Sequence, residues 1–262
     1  MELFDTHCHC QLSFDSQASM GSYMDQADHY LIFTDHLEYH NPYFDNYPAH
    51  VPDFDQILAR QAAFKQAGLD LLLGVEVGFL ASHTKAIAKV LDTYDFDAIL
   101  LSCHQNGHYD YMDEAIKDQV DDPIEEYFIN LLDAVKTFPQ ANIFCHFDYG
   151  LRIHDLQVSD LKPYESLIIP IFQAVIEADM AFELNSKSIY RYGNKELYDY
   201  AIDLFQSLGG RRFSLGSDAH QACDLCLNFE DSKQILKSHG VEKVSVFLNQ
   251  QAHEVKIWSS LT

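Results

Sequence analysis

Leu71-Leu72-Leu73-Gly74-Val75-Glu76 is a short, unbroken apolar run that ends in a carboxylate. Such a run, without polar alternation, is what a parallel strand buried on both faces needs. The same form recurs along the chain. Leu3–Cys8, Leu31–Thr34, Ala98–Cys103, Ile143–His146, Met180–Leu184 and Phe213–Gly216 read as strands of this kind, and Val244–Leu248 is a weaker eighth. Amphipathic segments separate them. Asp122-Pro123 offers an N-cap and a Pro at the first helical position, followed by Ile124, Tyr127, Phe128, Leu131, Leu132 and Val135 at helical spacing. Asn194 caps a second face of Leu197, Tyr198, Ala201, Leu204, Phe205 and Leu208, which Gly209-Gly210 closes. Asp53–Ala67 and Ser82–Asp92 read likewise. Alternation of strand and helix implies a parallel sheet, and seven or eight units imply closure into a barrel. An open doubly wound sheet is the alternative, but no G-x-G-x-x-G follows the first strand. No linker or low-complexity tract interrupts the pattern, so a single α/β domain over residues 1–262 is expected.

The composition excludes several classes. With 47% hydrophobic and 13% aromatic residues the chain can bury a large core. Its 17 Lys+Arg against 40 Asp+Glu give a net charge of −23, which disfavours nucleic acid, whose binders draw affinity from cations on phosphates. A small anion is still accessible if bound cations supply the positive charge. No apolar run approaches the roughly 18 residues of a membrane span. The start, Met1-Glu2-Leu3-Phe4-Asp5, lacks the basic region of a secretory signal, so a cytoplasmic protein is expected. Six Cys form no disulfide framework. Cys223 and Cys226 make the only C-x-x-C, with no second ligand pair nearby for a structural zinc. Cys8, Cys103 and Cys145 are expected to be small buried hydrophobes directed away from the barrel mouth.

The chemistry lies at the strand ends. Of 14 His, His7, His9, His36, His104, His146 and His220 fall at or just beyond the C-terminal end of a strand, the face on which barrel sites form. One such His is ordinarily a satisfied core residue, but a set converging on one face has the makings of a metal site. His7 and His9 are two apart on a strand and share a direction. Glu76 ends the Leu71 run, Asp218 and His220 repeat the two-residue spacing, and Asp15 follows the first strand. Each acid has a plainer alternative as a helix cap or turn residue. Mixed His and carboxylate donors can hold two or three divalent ions, which activate water and stabilise charge at phosphorus. Two long connections, Leu37–Pro52 and Gln105–Asp121, follow strands and overhang the same face. His40, His108, Asn185 and Ser186 share that face as weaker candidates.

The ordered motifs H-x-H, T-D-H, G-V-E, S-C-H, C-H-F-D, E-L-N and G-S-D-A-H resemble the polymerase-and-histidinol-phosphatase (PHP) domain family over essentially the whole chain. Within it, the opening Asp5-Thr6-His7-Cys8-His9, Ser13, Asp15-Ser16 and the aromatic insert after Thr34-Asp35-His36 are most similar to the monofunctional L-histidinol-phosphate phosphatase branch. The resemblance implies a distorted (β/α)7 TIM-like barrel with a trinuclear metal site. One ion would take His7, His9, Glu76 and Asp218. Glu76 would bridge to a second ion on His104 and His146, and Asp15, His36 and His220 would hold a third. Zinc, manganese and iron all suit such donors.

The activity implied is hydrolysis of a small phosphorylated amino alcohol, L-histidinol phosphate, by a metal-activated hydroxide, as a step of histidine biosynthesis. Asp218, His220 or a metal-bound water would protonate the leaving group. Arg152 and Arg191 each follow a strand end, and Arg suits phosphate, so both are nominated as phosphate clamps, with a surface salt bridge as the alternative. Asp110, Asp113, Glu114 or Asp148 would take the substrate amine. Two rival readings share much of this pattern: a phosphoesterase of the same family acting on nucleotides, nucleic-acid ends or phosphotyrosine, and a metal-dependent amidohydrolase. A non-catalytic metal-binding module is a third, but the matched ligand positions look complete.

Overall fold

The protein is described by a computed structural model over residues 2–43 and 49–258. Its strands are β1 Tyr30–Phe33, β2 His36–Tyr39, β3 Ala49–His50, β4 Asp70–Gly78, β5 Ala98–Ser102, β6 Ile143–Phe144, β7 Ala181–Asn185, β8 Phe213–Gly216, β9 Lys243–Leu248 and β10 Gln251–Lys256. Strands β1, β4, β5, β6, β7 and β8 pair in parallel in that order. The N-terminal segment lies between the two ends of this row. Thr6 N–H bonds the Leu215 carbonyl at 3.2 Å and His9 N–H the Ala219 carbonyl at 2.8 Å, while Thr34 N–H reaches the Cys8 carbonyl at 2.8 Å. These bonds join β8 to β1 and complete a ring of seven. The Leu3–Cys8 expectation therefore holds as position in the ring, although that segment is too irregular to form a continuous ladder.

Helices α1 Phe54–Gln66, α2 Thr84–Leu91, α3 Ile116–Gln119, α4 Pro123–Thr137, α5 Val158–Leu161, α6 Glu165–Glu177, α7 Ser186–Arg191, α8 Lys195–Ser207 and α9 Phe229–Ser238 lie outside or over the ring. Asp122 caps α4 as expected, accepting Glu125 N–H at 2.9 Å. Asn194 makes no side-chain cap on α8, because its amide donates to Asp148 at 2.7 Å.

Strand alternation sorts the core into two parts. Outward residues such as Leu71, Leu73, Val75, Phe182 and Leu215 meet the helices in the larger core, where Phe172 and Tyr198 each meet Phe182 edge to face and Phe205 meets Phe172 likewise. Inward residues Ile32, Leu72, Ala98, Leu100, Ile143, Cys145 and Ala181 fill the barrel, and Val246, Phe247 and Val255 join them from below. Those last three come from the antiparallel hairpin β9–β10. The weak eighth strand, Val244–Leu248, is thus part of a plug under the barrel rather than a stave. Cys145 is corrected too: it points inward, and donates its Sγ–H to the Leu101 carbonyl at 3.1 Å with Glu76 Oε1 3.6 Å away.

The two long connections differ from simple loops. Part of Leu37–Pro52 is the antiparallel pair β2–β3, with Glu38 opposite His50, and its residues 44–48 lie outside the described residues. Gln105–Asp121 contains α3 and a bridge between Gln105 and Asp110. The start of β2 runs parallel to the end of β4, which sets His36 beside Glu76.

Candidate metal centre

Glu76 is the centre of the site. Fully buried, it faces inward from β4 with imidazoles on every side. Its Oε2 lies 3.2 Å from His7 Nε2, 3.5 Å from His9 Nε2 and 2.9 Å from His36 Nδ1. Its Oε1 lies 3.0 Å from His104 Nε2 and 2.8 Å from His146 Nε2. Asp15 bridges the outer pair, 3.4 Å from His36 Nε2 and 2.8 Å from His220 Nε2. Asp218 Oδ1 stands 3.7 Å from His9 Nε2 and 3.4 Å from His220 Nδ1. Asp218 has φ 53, the left-handed region, and this unfavourable turn is held by Asp5, which accepts Ser217 N–H at 2.9 Å and also the Ser217 hydroxyl. Every metal ligand expected from the sequence therefore reaches one rim.

The donor set fits divalent cations. His7 Nε2, His9 Nε2, His36 Nδ1 and Glu76 Oε2 are buried and make no aligned hydrogen bond. Buried polar atoms are otherwise nearly always satisfied, so several such atoms on one point call for a ligand of their own. Donor atoms of His7, His9 and Glu76, of His36, Glu76 and His104, and of His9, His36 and His220 lie within 4.8 Å of one another. Among the described residues no such group includes Cys223 or Cys226.

Acids behind the ring determine which imidazole nitrogen faces inward. Glu183 accepts His7 Nδ1–H at 2.7 Å, and Glu38 accepts His104 Nδ1–H at 2.6 Å. Ser13 gives its own proton to Asp35 at 2.8 Å, so His9 Nδ1 must donate to Ser13 Oγ at 3.0 Å. In each case Nδ1 is the anchored nitrogen and Nε2 is the one turned inward to meet a cation, the outer-shell arrangement usual at metal sites. Close packing makes room for these acids. A Cβ on Gly78 would fall 1.8 Å from Glu38 Oε1, and one on Gly216 would fall 2.1 Å from Glu183 Oε1. Burial pushes the His9 ring well below its ordinary pKa, reinforced by His36 and His220, so it stays a neutral donor. Burial opposes the charge on Glu76, but His36, His104 and His7 outweigh it and hold the carboxyl well below its usual range.

A cavity of about 470 Å³ opens over the cluster. The structure brings Arg152 into it but not Arg191. Arg152 is 2% exposed, donates to Ser188 Oγ at 2.7 Å and lies 3.7 Å from Asp218 Oδ2. Arg191 sits at the far end of α7, 52% exposed and paired with Asp224 at 2.7 Å, because one and a half helical turns carry it past the rim. Lys187, in the first turn of α7, takes the cavity position instead, with Nζ 3.0 Å from Asp218 Oδ1. Sequence reasoning missed it, along with the orienting roles of Glu38, Glu183, Asp35 and Asp5. A Lys in a helix's first turn opposes the macrodipole, which was the one available signal. Of the weaker candidates, Asn185 caps α7 through Ser188 N–H at 2.9 Å, while His40 and His108 do not line the cavity.

A seven-stranded barrel with His and carboxylate donors ringing one mouth, beneath a cavity lined by the cationic side chains of Arg152 and Lys187, defines a metal-site barrel. The PHP domain profile matches residues 5–187, and the chain belongs to the PHP domain family. The histidinol-phosphatase of Lactococcus lactis is 25% identical over 94% of this chain and 95% of its own length. A crystal structure of the histidinol phosphate phosphatase from that organism, complexed with zinc, L-histidinol and phosphate, superposes with a TM-score of 0.82 at 23% identity, covering 96% of this chain and 99% of that one. A second solved structure, a candidate histidinol phosphatase from Listeria monocytogenes, has a TM-score of 0.67 at 16% identity over 87% of this chain and 98% of that one.

Proposed function

We propose that the chain is a metal-dependent phosphomonoesterase that hydrolyses L-histidinol phosphate to L-histidinol and phosphate. The observation that carries this reading is a buried carboxylate, Glu76, ringed by five imidazoles beneath a cavity whose wall holds Arg152 and Lys187. The full-length similarity to the Lactococcus lactis enzyme supports the substrate. His7, His9, Glu76 and Asp218, then His104 and His146, then Asp15, His36 and His220 would hold two or three divalent ions. When bound, such ions generate a nucleophile from water at neutral pH and offset charge on the phosphoryl oxygens.

The protein's own groups do the rest. Arg152 and Lys187, both on the cavity wall, hold the non-bridging oxygens, and such contacts strengthen as charge builds. The departing alkoxide needs a proton at the mouth, where Asp218 and His220 face the cavity. Burial opposes the charge on Asp218, but Lys187 and His7 hold it as the carboxylate, so His220 is the group there that would supply the proton. A cavity of this volume matches a small molecule rather than a polymer. Among the described residues no helix is long and apolar enough to cross a membrane, and a cytoplasmic enzyme of histidine biosynthesis is the setting we propose.

The test is phosphate release from L-histidinol phosphate beside AMP, phosphotyrosine and p-nitrophenyl phosphate, with zinc or manganese added. A preference of several orders in kcat/KM for histidinol phosphate is expected. Equal, slow turnover of all four would leave a phosphoesterase and remove the named substrate.

A further inference from the structure

Four loop acids were open as partners for a substrate amine, and counting the acceptor capacity each has left separates them. Asp113 caps Ala115 N–H at 2.9 Å and Glu114 pairs with Lys117 at 2.7 Å, and neither lines the cavity. Asp148 is buried but spent: it accepts from Ser188 Oγ, Tyr198 OH and Asn194 Nδ2 at 2.8, 3.1 and 2.7 Å. Asp110 differs from all three. It lines the cavity while only 2% exposed, and its hydrogen bonds come solely from neutral donors, Met112 N–H at 2.7 Å and Tyr149 OH at 3.1 and 3.2 Å. Among the described residues no Lys or Arg pairs with it, and buried carboxylates without a cation are rare.

The position suits a short substrate. Tyr149 stands with its ring centroid 4.5 Å from that of His104 and 5.3 Å from that of His146, and its hydroxyl reaches Asp110. Asp110 is thus one aromatic side chain away from the metal-facing imidazoles. In a 2-amino alkyl phosphate only the O–CH2–CH–N chain separates phosphate from ammonium.

We propose that Asp110 receives the substrate's primary ammonium and makes the site selective for phosphomonoesters of amino alcohols over those of uncharged alcohols. This rests on the phosphomonoesterase reading above. It adds the residue that reads the end of the substrate opposite the phosphate. Burial pushes the Asp110 carboxyl up to about 6, as expected of an acid awaiting a counter-charge.

The experiment compares L-histidinol phosphate with its deamino analogue, 3-(imidazol-4-yl)propyl phosphate, on the wild type and on Asp110→Asn. The variant keeps the volume and the oxygen that accepts Met112 N–H. A charge-assisted hydrogen bond in a buried site corresponds to roughly a tenfold to hundredfold preference for the amine in kcat/KM, carried mainly in KM. In Asp110→Asn that ratio should fall to near one, with turnover of the deamino ester held within about threefold. An unchanged ratio, or an equal loss on both esters, overturns the assignment while leaving the enzyme a histidinol-phosphate phosphatase. A wild type that prefers p-nitrophenyl phosphate to histidinol phosphate overturns the substrate reading itself, and the assignment with it.

Discussion

Replacing Glu183 with Gln changes one oxygen and almost no volume, so its effect isolates the direction of a single hydrogen bond. Glu183 Oε1 accepts His7 Nδ1–H at 2.7 Å, while Oε2 accepts His146 N–H at 2.9 Å and Asn185 Nδ2–H at 3.1 Å. Both oxygens face donors, whereas Gln has one acceptor and one donor to offer. If its amide nitrogen faces His7, the ring can accept only by moving its proton to Nε2, the atom 3.2 Å from Glu76. That tautomer has no lone pair for a cation, and metal affinity should fall about 10–100-fold. If the amide nitrogen faces His146, a buried donor meets a donor at a cost of about 1–3 kcal/mol. For a chain of this size that lowers the apo Tm by roughly 2–12 °C.

Zinc titration of the apo protein reads the first outcome and thermal melting of the apo protein reads the second. One of the two must move. A zinc Kd unchanged in Glu183→Gln, with an apo Tm within about 1 °C of wild type, would show that Glu183 does not set the His7 tautomer.

Gly216→Ala should act on the same pair from the other side, because its Cβ would fall 2.1 Å from Glu183 Oε1 and 2.6 Å from His7 Cβ. Overpacking of this kind costs about 1–3 kcal/mol, and the loss should be larger in melts with zinc than without. Lys187→Ala should lower kcat/KM on every phosphomonoester by roughly tenfold or more, whereas Arg191→Ala should stay within about twofold; equal losses would return Arg191 to the phosphate site. The amine preference should also depend on pH. Burial raises the Asp110 carboxyl to about 6, with Met112 N–H, His104 and Tyr149 pulling it down and Glu38 adding to the rise. Since the charged form is the one that binds ammonium, the ratio of amine to deamino ester in kcat/KM should be full above that pH and decline below it. A ratio constant from pH 5 to 8, from about one unit below that value to about two above it, would count against it.

The barrel was legible because its staves announce themselves locally. An apolar run such as Leu71–Val75 is decided by its own side chains, and so is the carboxylate that ends it. The positions of the candidate ligands were legible for the same reason, since a His just past a strand has its position set by the strand. What the sequence left hidden depends on contacts between distant segments. Glu38 and His104 are 66 residues apart, and Glu183 and His7 are 176 apart. No local pattern marks such pairs. The Arg191 expectation failed on distance along the helix: it and Lys187 share a face of α7, but four residues, about 6 Å of rise, carry Arg191 past the mouth. The hairpin β9–β10 looked like a stave because its inward residues are as apolar as those of one.

The acidity of the chain also takes on meaning once each buried acid is assigned by its partners. Glu76 faces three imidazole nitrogens that lack hydrogen bonds, and it is the acid we assign to the metals. Glu38 and Glu183 face imidazole N–H groups, and they orient ligands. Asp5 and Asp35 face backbone N–H groups and hydroxyls, and they shape the segments that present the ligands. Asp148 has its capacity filled by three neutral donors and by the Arg152 guanidinium 4.0 Å away. Asp110 lines the cavity apart from the imidazole cluster that Asp15 and Asp218 face, and it keeps room for a cation. All are nearly inaccessible to water in this fold, so exposure cannot tell them apart. The difference lies in what each carboxylate still lacks, and a missing partner points to a metal in one case and to a substrate ammonium in another.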